Sequence, residues 1–539
     1  GEGDGAVAQR TERAARRVPP VPVAEVLADG RLALDDLWAV AHGAARVGLG
    51  PLTLVAVARN RASFEVAVAG GAEVYGVTTG VGALVVQPVD AGRSEEAARS
   101  LLRSHAAGVG RELAPALVRA AMTARLTTLA RGHSGVRPEL LRVLAALLNH
   151  DLTPRVRAGS LGPTGELAAG AHAFLPLIGE GELRDARGEL VTGAEGLRRL
   201  GLAPLELDGR EALALLSGTS WPAAIAGLAA VRVRHVLAAV DVAAALTFDA
   251  LDGAMPALDP RVHALHHLPG QTRSAAHMRA MLAGRERPPR GPGRLQDPYS
   301  LRCAPQIHGA ARTAAGFFAA LVEGELASVT DNPLIFDDPA EVLSSGNFHA
   351  QSLAFACDAM RAALADLGGV SERRVYRLVS PSVNGELPPF LSPHPGASGY
   401  MILQYTAAGL VSELRLLAHP VAPDNIVVSD NQEDHASNAM LAANTLLESL
   451  DRVEAIVAAE LVCACQGLDV RPSPGRAGRG SLAAHALVRS VVATLDADRA
   501  PAGDVAAVAQ LVASGAFTQL LDELPEEPPA GGPEPMKGP

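Results

Sequence analysis

The sequence predicts a mainly α-helical fold, and three observations carry that reading. Nearly half of the chain, 48%, is hydrophobic, and Ala and Leu lead the composition with Arg abundant, residues that lose little freedom in a helix, the first two of which can fill a sizeable core. Apolar side chains recur at helical spacing: Leu446, Leu450, Val453, Val457 and Leu461 fall three or four apart and define a core helix that Gly467 is placed to stop. Strand signals are few and short.

Taken in order, residues 1–20 and 525–539 are Pro-, Gly- and Glu-rich. They bury too little apolar surface to offset the entropy of ordering and read as disordered tails. Residues 21–219 form an N-terminal region carrying Gly-rich loops, above all "AGGAEVYGVTTGVGA" from Ala69 to Ala83, with Tyr75 in its middle. A helix begins near Ser220, where Pro222 suits a first turn, and runs through Ile225, Leu228, Val236 and Val240. It opens a helical bundle over 220–524. Within that bundle "GRERPPRGPGR", Gly284 to Arg294, reads as an exposed loop, because its Pro and Gly residues break helix and its charges require water.

Charge and cysteine usage exclude several classes. A net charge of −11 with no dense Lys/Arg run argues against nucleic acid, whose affinity comes largely from neutralising phosphates. No apolar run reaches membrane-spanning length without a charge, and the first residues lack a signal-peptide core, so a soluble protein is expected. Cys303, Cys357, Cys463 and Cys465 are too few and too irregular for a disulfide framework, which fits a reducing cytoplasm. Cys463 and Cys465 lie two apart in the core helix and read as buried packing. His263 and His267 fall four apart in "HALHH", one helical turn, yet no carboxylate or cysteine completes a site, and no metal is expected.

Seven ordered strings then point one way. They are "YGVTTGVG" at Tyr75, "LLRSHAAGVG" at Leu101, "GSLGPTGELAAGAH" at Gly159, "QDPYSLRCAPQ" at Gln296, "TDNPLIF" at Thr330, "SGNFHAQ" at Ser345 and "NQEDH" at Asn431. Together they resemble the histidine ammonia-lyase family, with the related phenylalanine and tyrosine lyases and aminomutases, over about Ala24 to Val470. The resemblance implies a long-helix bundle of the ammonia-lyase/fumarase-like type, a homotetramer with active sites built from several subunits, and an amino-acid substrate. It also implies no external cofactor. The family's electrophile is a methylidene-imidazolone formed from three consecutive residues, aligned here with Pro163, Thr164 and Gly165.

Such a group answers a chemical need. An ammonium-bearing carbon is a poor leaving site and the adjacent C–H a very weak acid, so covalent capture divides the task. By the resemblance, Tyr75 is the base that removes the β-proton. A phenol has a pKa near ~10, so this role requires nearby dipoles or cations that favour the phenolate. Arg302 offers a rigid fork for the substrate carboxylate, and Gln296 and Tyr299 are expected to hydrogen-bond the electrophile. Phe348 aligns with a site-lining aromatic, and Asn332 in "TDNPLIF" is counted among the substrate-binding residues. His105 and Glu433 tilt the substrate towards histidine, Glu433 being counted with the catalytic groups.

This chain departs from the family pattern at the electrophile itself. Thr164 stands for the usual serine and would leave a methyl on the exocyclic carbon, hindering attack there. Pro163 contributes only its carbonyl to the ring, with a fixed φ. Glu166 replaces Asp and moves a carboxylate outward by one methylene. Ser217 replaces the asparagine that helps hold the electrophile's carbonyl, supplying one donor instead of two. Val81 and Thr127 replace the common Phe and Asn and suggest a reshaped pocket. Three readings follow: an ammonia-lyase with histidine to urocanate favoured, a 2,3-aminomutase using the same parts, or a family member without the electrophile that binds, regulates or runs a different reaction.

Overall fold

The computed structural model describes residues 24–89, 94–157, 165–286, 295–472 and 475–525. Both expected tails fall almost wholly outside these residues, as do Pro163, Thr164 and most of the Gly284–Arg294 loop. The expected helical character holds, with strands of only two to four residues at the periphery.

Four long helices make the frame. Ser220–Ala250 packs against Ala439–Asp469 and Ala304–Leu326, and Gln351–Val379 lies against the last two. The helix beginning at Ser220 is buried almost all round, the pattern of a central core helix. By length and apolarity the stretch 209–250 could cross a membrane, but 83% of its most apolar window is buried inside the protein, which identifies it as core. Helix Met401–Leu417 covers one side of the bundle, while Ala502–Ala513 and Ala516–Glu523 close another.

The N-terminal half wraps one end of this frame. Strands Ala24–Leu27 and Ala45–Gly48 pair in parallel across helix Leu34–Ala41. Helix Pro115–Ala130 packs directly on Ser220–Ala250, so a single apolar core runs without a break from Ala28 to Phe517. A small antiparallel sheet of Thr153–Pro154, Glu182–Arg184 and Leu190–Thr192 flanks helix Gly165–Phe174. Hairpin Leu334–Asp337/Ala340–Leu343 sits on helix Pro51–Ala69.

Two sequence expectations are corrected here. Gly467 does not stop the core helix, which continues to Asp469; a Cβ at that position would lie 3.2 Å from Ala250 Cβ, so the glycine serves close helix packing. His263 and His267 do not share a helix, because Pro260–Ala264 ends before His267. His263 is buried with Nε2 donating to the Ala257 carbonyl at 3.1 Å and Nδ1 accepting from Gln271 Nε2 at 2.9 Å, leaving no lone pair for a metal. The periodic residues Leu446 to Leu461 are fully buried as expected, and so are Cys463 and Cys465, whose thiols burial pushes up and away from reactivity.

Helix Gly209–Leu216 delivers Leu213 and Ser217 to the site described below. It is started by a capping box, in which Asp208 accepts from the Glu211 N–H at 2.9 Å while Glu211 accepts from the Asp208 N–H at 3.4 Å. Asp208 also pairs with Arg61 at 2.7 Å. Asp208→Ala is expected to cost about 1–2 kcal/mol of stability, read as a lowered midpoint in thermal or denaturant unfolding.

Candidate active site

A cavity of about 450 Å³ opens where the Gly-rich loop, the start of helix Gly165–Phe174, the end of helix Gly209–Leu216 and the loops around residues 345 and 433 converge. Tyr75, Ser217, Asn332, Phe348 and Glu433 line it, so Ser217 and four residues singled out from four of the quoted strings meet here. Glu166 and Leu167, the first residues after the Pro163-Thr164-Gly165 triad, form part of the same wall. An adjoining cavity of about 290 Å³ shares Tyr75 and Glu433 and adds His105 and Val81.

The Tyr75 loop is closed on itself. Gly80 N–H donates to the Gln87 carbonyl and Val89 N–H to that of Thr78, each at 2.9 Å. Gly82 has φ +56°, and a Cβ there would lie 2.4 Å from Ser429 Oγ, so both conformation and space require glycine. From this position Gly82 N–H donates to Tyr75 Oη at 2.7 Å, and the next N–H, of Ala83, donates to Ser429 Oγ at 3.1 Å. Ser429 starts a turn in which it, Asp430 and Asn431 all take left-handed φ between 49° and 63°. Three consecutive non-glycine residues in that region are strained, a pattern common at functional sites. The turn carries Glu433 to the cavity.

Electrostatics set the protonation states. Burial pushes the Tyr75 phenol above its ordinary value; the Gly82 N–H opposes this, and the nearby Glu433 adds to it. The Gly82 dipole alone therefore does not produce the phenolate expected of a base. Burial likewise raises Glu433. Glu166 is pushed up to about 7, chiefly by burial with the Glu433 charge adding, and is opposed by a backbone hydrogen bond. Burial lowers His105, whose Nδ1 lies 2.9 Å from the Leu101 carbonyl. A carbonyl only accepts, so Nδ1 carries the proton and Nε2 keeps its lone pair for a donor in the cavity.

Below the cavity, Ser217 and Asn332 are fixed by a buried charge cluster. Asp331 is paired with Arg125 and lies 3.4 Å from Arg210, with all three side chains at 1% exposure or less. Arg125 also donates to the Ser217 carbonyl at 2.8 Å, and Asn332 N–H donates to Ser217 Oγ at 3.1 Å. Ser217 Oγ thus accepts one hydrogen bond and keeps its proton available to donate into the cavity.

Several expected residues lie elsewhere. Gln296, Tyr299 and Arg302 line neither cavity; Gln296 is exposed and Tyr299 is 68% exposed. Arg302 lies 4.6 Å over the Tyr299 ring and donates through Nε to the Asp297 carbonyl at 2.8 Å. Thr127, read as part of a reshaped pocket, is buried in helix Pro115–Ala130 with its hydroxyl on the Thr123 carbonyl at 2.9 Å, away from both cavities. Among the described residues, no cluster of His, Cys, Asp and Glu could hold a metal.

Sequence reasoning passed over two further groups on the wall, His349 and His435. His349 Nε2 lies 2.9 Å from the His435 carbonyl and 3.3 Å from His435 Nδ1, and the rings are 5.4 Å apart. Both stand inside quoted strings, next to Phe348 and two residues after Glu433, the available signal.

The long-helix bundle is shared with known enzymes. Residues 32–490 match the aromatic amino acid lyase family, and the chain belongs to that family. Within it, the chain is 46% identical to the histidine ammonia-lyase of Symbiobacterium thermophilum, covering 92% of this chain and 97% of that protein. It is 42% identical to the one from Gloeobacter violaceus, covering 91% and 96%. Among solved structures it resembles histidine ammonia-lyase from Trypanosoma cruzi (TM-score 0.85, 34% identity, 93% of this chain and 96% of that one). Tyrosine aminomutase from Streptomyces globisporus is similarly close (TM-score 0.87, 32% identity, 94% and 100%).

The raised Glu166 has a consequence for stability. An unfolded glutamate titrates near ~4.3, so as pH rises from there to about 7 the unfolded chain releases a proton that the folded chain retains. Glu166 therefore reduces stability progressively through that window and adds no further loss above it. Glu166→Gln is expected to raise the melting temperature relative to the parent more at pH ~8 than at pH ~4.5, as measured by parallel thermal melts.

Proposed function

We propose that this chain is an ammonia-lyase that converts L-histidine to urocanate and ammonia in the cavity around Tyr75. The observation that carries the reading is the convergence of Tyr75, Ser217, Glu433 and, from the adjoining space, His105, in a chain similar over nearly its full length to histidine ammonia-lyases. His105 Nε2 accepts from the substrate's ring N–H, a donor that phenylalanine lacks, and Glu433 provides a second acceptor. Tyr75 takes the β-proton once a cation offsets the burial that keeps its phenol protonated.

A methyl-substituted methylidene-imidazolone from Pro163, Thr164 and Gly165 would supply the electrophile that turns the amine into a leaving group. The surroundings fit such a group: Glu166 and Leu167, directly after the triad in sequence, line the cavity, and the Ser217 hydroxyl on the same cavity has a proton free to donate. Ser217 would hold the oxygen of that group by its hydroxyl, Asn332 N–H holds Ser217, and Phe348 lines the same cavity.

The reading includes a homotetramer in which Gln296, Tyr299 and Arg302 of one copy complete the cavity of another. Arg302 supports it: Nε is anchored on Asp297, while its Nη nitrogens hydrogen-bond no protein group among the described residues, which leaves the fork for a carboxylate. Exposed apolar side chains on three helices, Phe317, Phe355, Ile402, Tyr405 and Leu416, fit burial between copies. A cytoplasmic setting is consistent with four unpaired cysteines. The similarity to a tyrosine aminomutase supports a second reading, in which ammonia is returned to the β-carbon.

Incubation with L-histidine, followed by near-ultraviolet absorbance and ammonia release, is expected to show urocanate; a β-amino acid product would favour the mutase. Tyr75→Phe is expected to lower kcat by about 10²–10⁴-fold. Intact mass is expected to fall below that of the encoded chain by two water molecules, and an undiminished mass together with no product would overturn the lyase reading in favour of a binding or regulatory role.

A further inference from the structure

The short helix Tyr299–Arg302 is too brief to hold its own place, since one turn closes very few hydrogen bonds. What fixes it comes from the bundle beneath. Arg374, fully buried in helix Gln351–Val379, donates through Nε to Glu460 Oε1 at 2.5 Å and through Nη2 to Oε2 at 2.9 Å. Its third nitrogen, Nη1, donates to the Ser300 carbonyl at 3.3 Å. Glu460, equally buried, also accepts from Thr247 Oγ1 at 2.8 Å and Ser371 Oγ at 2.7 Å.

The chain of contacts continues behind Arg374. Nη1 lies 3.4 Å from His308 Nε2, and His308 Nδ1 is 2.7 Å from Asp241 Oδ1. Asp241 Oδ2 also takes Arg312 Nη2 at 2.5 Å and His277 Nδ1 at 2.8 Å. One polar network therefore spans five helices and ends on a backbone carbonyl between Tyr299 and Arg302. On the far side of that turn, Ala254 N–H donates to Asp297 Oδ2 at 2.6 Å, so it is held from both flanks.

A buried ion pair adds little stability over apolar side chains of equal volume, because desolvation offsets the attraction, but it does impose direction. Two parallel bonds to Glu460 fix the plane of the Arg374 guanidinium, and that plane aims Nη1 at Ser300. We infer that Arg374 and Glu460 are positioning residues for Arg302, setting through the Ser300 carbonyl the place from which Arg302 takes the substrate carboxylate. The inference rests on the reading of Arg302 given above.

The test compares two ligands by calorimetry on the full-length protein: 3-(imidazol-4-yl)propionate, which keeps the carboxylate, and histamine, which lacks it. The parent is expected to prefer the carboxylate ligand, and Arg302→Lys to reduce that preference. Arg374→Lys is expected to weaken the carboxylate ligand about tenfold while histamine stays within about twofold. The double variant R374M/E460M removes the donor to Ser300 without leaving a buried charge alone, and is expected to fold and show the same selective loss. Equal weakening of both ligands, or an unchanged preference in both Arg374 variants while Arg302→Lys still reduces it, overturns the inference and leaves the role of Arg302 standing. A parent without preference, or a preference that Arg302→Lys leaves intact, overturns the role of Arg302 and the inference with it.

Discussion

Asp331 is a fully buried carboxylate, and such a group is tolerable only where cations meet it. Arg125 and Arg210 do so, one from helix Pro115–Ala130 and one from helix Gly209–Leu216. The guanidinium that neutralises Asp331 also grips the Ser217 carbonyl, and the residue after Asp331 hydrogen-bonds the Ser217 hydroxyl. One interaction thus joins two N-terminal helices to the segment leading into the 334–343 hairpin and fixes the floor of the cavity. Removing Asp331 would strand two guanidiniums in the core, which costs far more than losing a surface pair.

The opposite wall is held by a different device. The Gly-rich loop and the Ser429–Asn431 turn are each poor in regular hydrogen bonds, and they hold each other through Ala83 and Ser429. The strained turn is closed by its own backbone bonds: Gln432 N–H donates to the Ser429 carbonyl at 2.9 Å, and Val428 N–H to the Glu433 carbonyl at 3.2 Å. A side chain at Gly82 would separate the two segments, and with them Tyr75 from Glu433.

The long helices were legible in the sequence because burial imposes a period that local spacing records, as with Leu446 to Leu461 and the start at Ser220. The strings around Tyr75, Ser217, Asn332, Phe348 and Glu433 were legible as chemistry, and the fold gathers all five at one cavity. Other features depend on contacts between distant segments, which no local pattern encodes. Gly467 looks like a helix stop until Ala250 is seen against it. The face of the buried helix that Thr127 occupies, the pairing of His349 with His435, and the joining of Arg125 and Arg210 on Asp331 are of this kind. Gln296, Tyr299 and Arg302 share a string that gives their identity but not their distance from Tyr75.

The walls of the larger cavity bear Glu166, Glu433 and Asp434, and no lysine or arginine among the described residues that line it. An acid-lined chamber of this kind attracts a positive centre, while the carboxylate of the same guest is left to the Arg302 fork of another copy. Deamination removes that positive centre, since the ammonium departs and the carboxylate remains. The attraction that helps draw the reactant in is then lost with the ammonium, so the product is held less tightly than the reactant and is less prone to clog the site.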